Sequence, residues 1–410
     1  MRILMITQYF PPETGAAQVR LKEVAKALQA QGHQVQVVTA FPNHLMGVIP
    51  QEYRGKFFMR DEYEGIPLLR TWVYPVPRGR FWKRLLNYFS FVFSACYGVI
   101  KADPTDVIFV ESPPLFIGFT ALFARGVKRV PLILNISDLW PESAVSLGLV
   151  TNKRLIAWAE HFELYLYRKA WKISAQTQGI LTNLRNRGIP DEKFVFLPNG
   201  VDPKLFYKQE PDKEIVKLLD LEGKFVILYA GTMGYAHGVE VVAGAAEKLK
   251  EDKVVFLFVG DGSERPKLEE MAKERKLTGF RFVDFQPITE MHRYYSVAQA
   301  SLSTLRRYKL AEGVRPSKIF PAMASEKPLI YVGEGEGAEI AQASGGALVL
   351  PPEDPEALAE AVRKLMQDPD FCERLARHGR EYVVKYYSWE SIVEAWLKSI
   401  TLATKETHKA

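Results

Sequence analysis

The stretch Ile6–Leu28, ITQYFPPETGAAQVRLKEVAKAL, leaves an apolar strand, breaks at Pro11 and Pro12, passes through Gly15, Ala16 and Ala17, and continues as an amphipathic helix. A helix N-terminus presents unpaired N–H groups and a partial positive charge, so small residues at such a turn let an anion or a sugar approach the backbone. Two readings are open here: a binding loop, or an ordinary βα connection stiffened by its prolines. The turn carries neither a G-x-G-x-x-G nor a Walker A pattern, which sets aside a dinucleotide fingerprint and a P-loop.

Outward from this turn the same alternation repeats. Short apolar runs at Ile3–Thr7, Val35–Thr39, Leu68–Val73, Val107–Val110, Leu132–Ile136, Ile173–Ala175 and Phe194–Leu197 are separated mostly by helix-length segments. That is the pattern of a parallel sheet covered on both faces. A second series follows LPNGVDPKLF, at Phe225–Tyr229, Val254–Val259, Phe280–Phe285, Ser301–Leu305, Leu329–Val332 and Ala347–Leu350. The fold class is α/β, with two doubly wound parallel-sheet domains. The first spans 1–200 and the second 201–387, and a last helix at about 388–404 is expected to pack back on the first. Ligands of open α/β sheets sit beyond the carboxyl ends of the strands, so two such sheets are expected to face an interdomain cleft.

Composition agrees with a two-domain globular chain: 410 residues, 47% hydrophobic and 25% charged. A net charge of +6 is mild; it directs attention to clustered basic residues facing an anionic surface or substrate, with no nucleic-acid partner implied. Cys96 and Cys372 lie far apart in dissimilar contexts, which argues against a disulfide framework or a structural zinc site and fits a reducing cytoplasm. MRILMITQYF is too short an apolar run for a signal peptide and reads as the first strand.

The segments YFPPETGAAQVR, LPNGVD, YAGTMGYAHG, FVGDGSERPKLE and RPSKIFPAMASEKPLIYVGEGEGAEI occur in the order found in family 4 of the retaining nucleotide-sugar glycosyltransferases. The chain resembles that family along almost its whole length. With SDLWPESAVSLG it is most similar to the bacterial branch that builds O-antigen, capsule and colanic-acid units, including N-acetyl-L-fucosamine transferases. The resemblance implies the GT-B architecture, with the acceptor on the first domain and a nucleotide-sugar, expected to be UDP-linked, on the second. It also implies a hexosyltransferase reaction with net retention; the apolar stretches RGRFWKRLLNYFSFVFSACYGVIK and ESPPLFIGFTALFARG of the first domain suit a polyprenyl-diphosphate-linked saccharide as acceptor at the inner face of the cytoplasmic membrane. On this reading the Gly15–Ala17 turn borders the transferred sugar and the donor diphosphate. Glu13 is either a substrate contact or a solvated loop carboxylate.

Donor-binding candidates follow. In VRPSKIF, Pro316 pre-sets a helical turn, Ser317 offers a hydroxyl, and Lys318 lies where backbone N–H groups point outward, with Arg315 beside it. A diphosphate fits there; the competing reading of Lys318 is a solvated helix lysine. Tyr229-Ala230-Gly231-Thr232 ends a strand in glycine-rich backbone, a phosphate cradle, and His237 follows. Many relatives place an Arg and a Lys shortly after this strand, where this chain has Tyr235 and His237, so the cation is expected from Lys318, Arg315 or both. The family's E-x7-E signature ends on a Glu that holds the ribose. Here that position is Pro321, its counterpart eight residues back is Gly313, and Glu312 is one place out of register. In ASEKP the usual glycine is Glu326. Ribose contacts are therefore expected from Glu336 or Glu339, among glycines that suggest close backbone approach.

On the acceptor side the strand Leu132–Ile136 ends at Ser137 and Asp138. Asp138 is the candidate to receive the acceptor hydroxyl's proton, the alternative being a helix N-cap ahead of Pro141; Glu142 and Ser143 are second choices. Chemistry at an anomeric carbon passes through an oxocarbenium-like state, which demands stabilisation of the departing diphosphate. No Asp-x-Asp lies in a suitable loop, so no metal or other cofactor is expected. Arg78, Arg80, Trp82, Lys83 and Arg84 precede an apolar segment shorter than the roughly 20 residues that span a bilayer, interrupted by Asn87 and Ser90. An interfacial helix, peripheral on the membrane, fits this pattern, and a buried helix with a basic end is the alternative. Two other functions remain compatible with the sequence: a UDP-sugar 2-epimerase of the same fold, and a catalytically silent homologue that acts as an assembly partner, motivated by Pro321.

Overall fold

A computed structural model describes residues 1–13, 15–43, 47–76, 81–142, 151–307 and 315–407. Ser143, Arg78, Arg80, Glu312 and Gly313 lie outside the described residues. The chain divides into two compact units, Met1–Pro198 with Ile392–Ala410, and Asn199–Ser391.

The first unit holds β1 (Arg2–Ile6), β2 (Gln34–Ala40), β3 (Phe58–Tyr63), β4 (Ile66–Thr71), β5 (Val107–Ser112), β6 (Leu132–Ile136), β7 (Lys172–Ala175) and β8 (Phe194–Phe196). Its helices are α1 (Ala16–Ala30), α2 (Phe81–Lys101), α3 (Ile117–Lys128), α4 (Lys153–Lys169) and α5 (Gln178–Asn186). The sheet order is β3-β4-β2-β1-β5-β6-β7-β8. β1 lies parallel between β2 and β5, Leu4 facing Gln36 on one side and Ile108 on the other. The chain winds outward from β1 through β2 and β4, then crosses back to β5, so the topological switch point lies between β1 and β5. β6 is buried along its whole length, as a parallel strand between helix layers must be.

The edge strand β3 was not among the expected strands. It pairs antiparallel with β4 through a two-residue turn at Glu64 and Gly65, both left-handed with φ of 48° and 81°. Its sequence FMRDEY is half-exposed throughout, and an edge strand of this kind lacks the apolar run that marks its buried neighbours.

The second unit contains β9 (Phe225–Ala230), β10 (Val254–Val259), β11 (Phe280–Val283), β12 (Ala300–Thr304), β13 (Leu329–Val332) and β14 (Ala347–Leu350), in the all-parallel order β11-β10-β9-β12-β13-β14. Its helices are α6 (Lys213–Leu218), α7 (Val241–Lys248), α8 (Arg265–Glu274), α9 (Met291–Val297), α10 (Ile319–Ala324), α11 (Glu336–Ala343), α12 (Pro355–Gln367) and α13 (Pro369–Tyr387). Alternate residues of one strand feed two cores. Ile227, Tyr229, Phe256 and Phe258 face one helix layer, whereas Val226, Leu228, Val255 and Leu257 face the other. The switch point here lies between β9 and β12. Glu326, just past α10, has φ of 53°, a left-handed conformation that glycine adopts most readily.

The last helix, α14 (Trp389–Thr407), carries the chain back to the first unit. Its Trp396 is fully buried there, donates from Nε1 to Ser174 Oγ at 2.7 Å and meets Phe109 edge-on at 5.8 Å. Among the described residues no helix is long and apolar enough to cross a membrane.

Candidate functional site

In the second unit the candidate residues converge at the β9/β12 switch point. Lys318, just before α10, lays its ammonium 3.8 Å from the ring centre of Tyr229 and donates to the Tyr229 hydroxyl at 2.5 Å; that hydroxyl donates in turn to Thr232 O at 2.8 Å. The lysine tip borders Gly231, whose φ of 125° needs glycine. The loops after β9 and β10 are stitched together. Met233 N donates to Asp261 O, Glu264 N donates to Met233 O, and a Cβ on Gly260 would overlap the carbonyl of Gly231. Gly231 and Thr232 themselves are exposed.

Burial pulls the Lys318 pKa down to about 7. His237 is held at about 4 by burial and by the nearby Lys318 charge, so its imidazole is neutral. Gly234 N donates to its Nδ1 at 3.3 Å, which places the ring proton on Nε2 as a donor. Two groups at the end of β12 fix this turn: Thr304 Oγ1 donates to His237 O at 2.5 Å, and Arg306 N donates to Ala236 O at 2.9 Å.

Three expectations are corrected here. Arg315 is not beside Lys318 in an opening. It is 6% exposed, forms an ion pair with Glu336 at 3.4 Å, and lies against the rings of Phe320 and Tyr387. Glu336, expected at the ribose, is thereby occupied with Arg315 and buried. The amides of Ile319 and Phe320 bend back to the carbonyls of Pro316 and Ser317, so the first turn of α10 does not present them outward. Ser317 is exposed, as is Glu339 in the first turn of α11.

In the first unit Asp138 is exposed two residues beyond β6. The loop that carries it is fixed by a buried polar cluster that sequence reading missed. Arg20 of α1 forms an ion pair with Glu111 of β5 at 2.5 Å and donates to Ser137 Oγ at 2.6 Å. Ser137 Oγ also donates to Glu111, and Asn135 Nδ2 donates to the other Glu111 oxygen at 2.6 Å. Gln176 Nε2 reaches Ser137 O at 2.5 Å. Arg20 stands on the stripe Arg20, Val24, Leu28, all buried, and a charge at helical spacing within an apolar stripe was the available signal. Beside Asp138, the Tyr167 hydroxyl donates to buried Glu163 at 2.5 Å, and Arg187 closes the group at 2.5 Å. Glu142 accepts from Asn183 at 3.3 Å.

Gly15 precedes Ala16, the first residue of α1, in extended backbone; a Cβ there would meet only the flexible end of the Gln18 side chain. The turn before it is held by Arg70, which donates to Pro11 O at 2.7 Å, and by Glu13, which accepts from Asn43 N at 2.5 Å.

Helix α2 carries apolar residues both inward and outward. Asn87 and Ser90, read as interruptions of an apolar face, point inward: Asn87 accepts from Gln8 at 2.6 Å and donates to Tyr74 O at 2.7 Å, while Ser90 accepts from Tyr74 N at 2.8 Å. Phe91, Val92, Ala95 and Val99 of the same helix are buried, yet it also carries apolar residues outward, with Trp82, Leu86, Phe93 and Ile100 exposed by 72, 58, 75 and 55%, and Lys83 and Arg84 are exposed in the first turn. Next to it an apolar cavity of about 320 Å³ lies between α2 and α4, walled by Trp82, Phe89, Phe116, Trp140, Leu155 and Trp158 among others. Among the described residues no group of three His, Cys, Asp or Glu is placed to hold a metal ion.

A model of the Glycosyl transferase 4-like domain matches residues 15–200, and the Glycosyl transferases group 1 model matches 211–382. WcaI of Escherichia coli strain K12, assigned as a colanic acid biosynthesis glycosyl transferase, is 25% identical over 98% of this chain and 100% of its own length. Sucrose-phosphate synthase from Thermosynechococcus elongatus shares the fold with a TM-score of 0.71 and 19% identity, over 100% of both chains. The Anabaena protein HepE, crystallised with UDP and glucose, has a TM-score of 0.71 and 16% identity over 97% of this chain and 99% of its own.

Proposed function

This chain belongs to the family 4 glycosyltransferases, enzymes of the GT-B fold, and we propose that it moves a sugar from a UDP-sugar to a polyprenyl-diphosphate-linked saccharide in surface polysaccharide synthesis, with retention. The observation that carries the donor half is the Lys318 ammonium held over Tyr229 beside Gly231. In transfer, the bond from the anomeric carbon to the diphosphate breaks and negative charge builds on the departing oxygen. Lys318 stabilises that charge, and neutral His237 supplies an Nε2–H donor beside it. The incoming acceptor oxygen bonds the anomeric carbon on the same face, and its proton passes to Asp138. The relatives' names and the UDP and glucose bound to HepE support the substrate classes.

The test begins with a thermal-shift screen of nucleotide-sugars, since a ligand that binds only the folded state raises its stability. Transfer to a lipid-linked saccharide is then assayed with the best donor. Asp138→Asn is expected to keep donor affinity and lose transfer; a fully active Asp138→Asn protein removes Asp138 from the mechanism. With Lys318 meeting the leaving charge, transfer is expected to survive EDTA, and a loss that Mg²⁺ or Mn²⁺ restores would overturn the metal-free reading.

A further inference from the structure

We propose that the apolar cavity between α2 and α4 is a binding site for the lipid chain of the acceptor, and that it seats the isoprene units next to a phosphoryl head. The inference rests on the lipid-linked acceptor reading above and adds where and how the lipid is held.

The cavity is walled by apolar side chains, so neither a sugar nor a phosphate is at home in it. Its walls are rings in mutual contact: Phe89 and Phe116 have centroids 4.6 Å apart, and Phe116 lies 5.5 Å from Trp140. At about 320 Å³ it has roughly twice the volume of an engineered apolar cavity that takes up benzene, room for about two isoprene units rather than a whole lipid. Two observations identify the occupant as the acceptor's own tail and not bulk membrane. Trp140 lies two residues after Asp138 on the loop that the Arg20–Glu111–Ser137 cluster fixes, so whatever fills the cavity is tethered close to the group that takes the acceptor proton. On the other wall, Trp82 shares the first turn of α2 with exposed Lys83 and Arg84, two cations at that end of the helix that a phosphorylated head could meet. An apolar interior, two cations in the helical turn that holds one of its walls, and the loop of Asp138 on the other wall are what a prenyl phosphate or diphosphate calls for.

Farnesyl phosphate, dodecyl phosphate and farnesol are titrated against the full chain while tryptophan emission from Trp82, Trp140 and Trp158 is followed. Saturable quenching by farnesyl phosphate is expected, with at least tenfold weaker binding of both other probes. Leu155→Trp fills the mouth from a side chain that is 38% exposed, so it leaves the core packing alone. It is expected to weaken farnesyl phosphate at least tenfold and to raise KM for the lipid-linked acceptor with kcat kept, while the thermal shift given by the nucleotide-sugar is unchanged. Non-saturating quenching, equal affinity for dodecyl phosphate, or unaltered binding in Leu155→Trp overturns the assignment. If lipid-linked saccharides are glycosylated but farnesyl phosphate does not bind, the cavity assignment fails and the acceptor reading stands. If farnesyl phosphate binds as expected but only soluble saccharides are glycosylated, the acceptor reading fails and the cavity remains a prenyl site.

Discussion

An ammonium stacked on a phenol ring has lost part of its hydration, and the consequence at Lys318 is a pKa near 7 rather than near 10.5. In the free enzyme this cation is therefore half neutralised at physiological pH, and kcat/KM for the donor is expected to fall as pH rises through about 7. A bound diphosphate favours the charged form, so the matching limb in kcat should lie at higher pH; pH profiles of both constants check this. Replacing the group outright by Lys318→Ala should lower transfer about a hundredfold or more with the circular dichroism spectrum unchanged. The same burial fixes the sign of a stability effect. A folded pKa below the unfolded one means that the unfolded chain binds more protons, so the destabilisation is complete below about pH 7 and gone above about 10.5. Lys318→Met should accordingly raise the melting temperature most at pH 6, on the scale of about 2–4 °C per kcal/mol for a unit of this size, and not at all near pH 11. Differential scanning calorimetry across that range decides it.

At the scale of elements, the loop after β6 that carries Asp138 depends on an ion pair that joins α1 to β5. Arg20 and Glu111 are both about 4% exposed, and removing one partner from such a pair leaves a buried charge, at a cost of about 3–5 kcal/mol. Arg20→Met and Glu111→Gln are each expected to lose several kcal/mol in urea melts and to slow transfer by loosening Ser137 and Asp138. The double variant should recover most of the stability, and a strictly additive double variant would show that the pair does not act as a unit. Much of this scaffold was legible beforehand because parallel strands buried on both faces read as continuous apolar runs. β10, Val254–Val259, is the clearest case. What escaped depended on pairing across the sheet. The partners Arg20 and Glu111 are 91 residues apart, and the Arg315–Glu336 pair joins two segments that sequence reading assigned separately to the donor. Short motifs report residue types and local turns; which charges neutralise each other is set by the order of the strands. Glu336 and Glu339 show this: one is buried against an arginine and the other exposed, three residues apart on one short helix.

For the molecule as a whole, the return of α14 makes the first unit depend on the end of the chain. Trp396→Ala should cost about 3–5 kcal/mol, a large buried side chain with a hydrogen bond, and lower the transition of the first unit while the nucleotide-sugar still stabilises the second. The same unit carries the exposed apolar residues of α2 with Lys83 and Arg84 at its start, and the sequence adds Arg78 and Arg80 just before it. Trp82, Leu86 and Phe93 are exposed beside these cations, the pattern expected of a helix that lies on an anionic bilayer. Each basic residue near such a surface is worth on the order of 1 kcal/mol, so changing Arg78, Arg80, Lys83 and Arg84 to Gln should release the protein from anionic vesicles in sedimentation assays. High salt should weaken the wild-type association in the same way, because exposed charges are screened within about 10 Å at 0.1 M. Transfer to a lipid-linked acceptor should fall with it, whereas affinity for the nucleotide-sugar, which the proposed mechanism assigns to Lys318 in the other unit, should not. A quadruple variant that still sediments fully at low salt would show that the exposed rings alone hold the protein to lipid, or that this face meets something other than a membrane; adding Trp82→Ala and Phe93→Ala separates the two, since only the first predicts release.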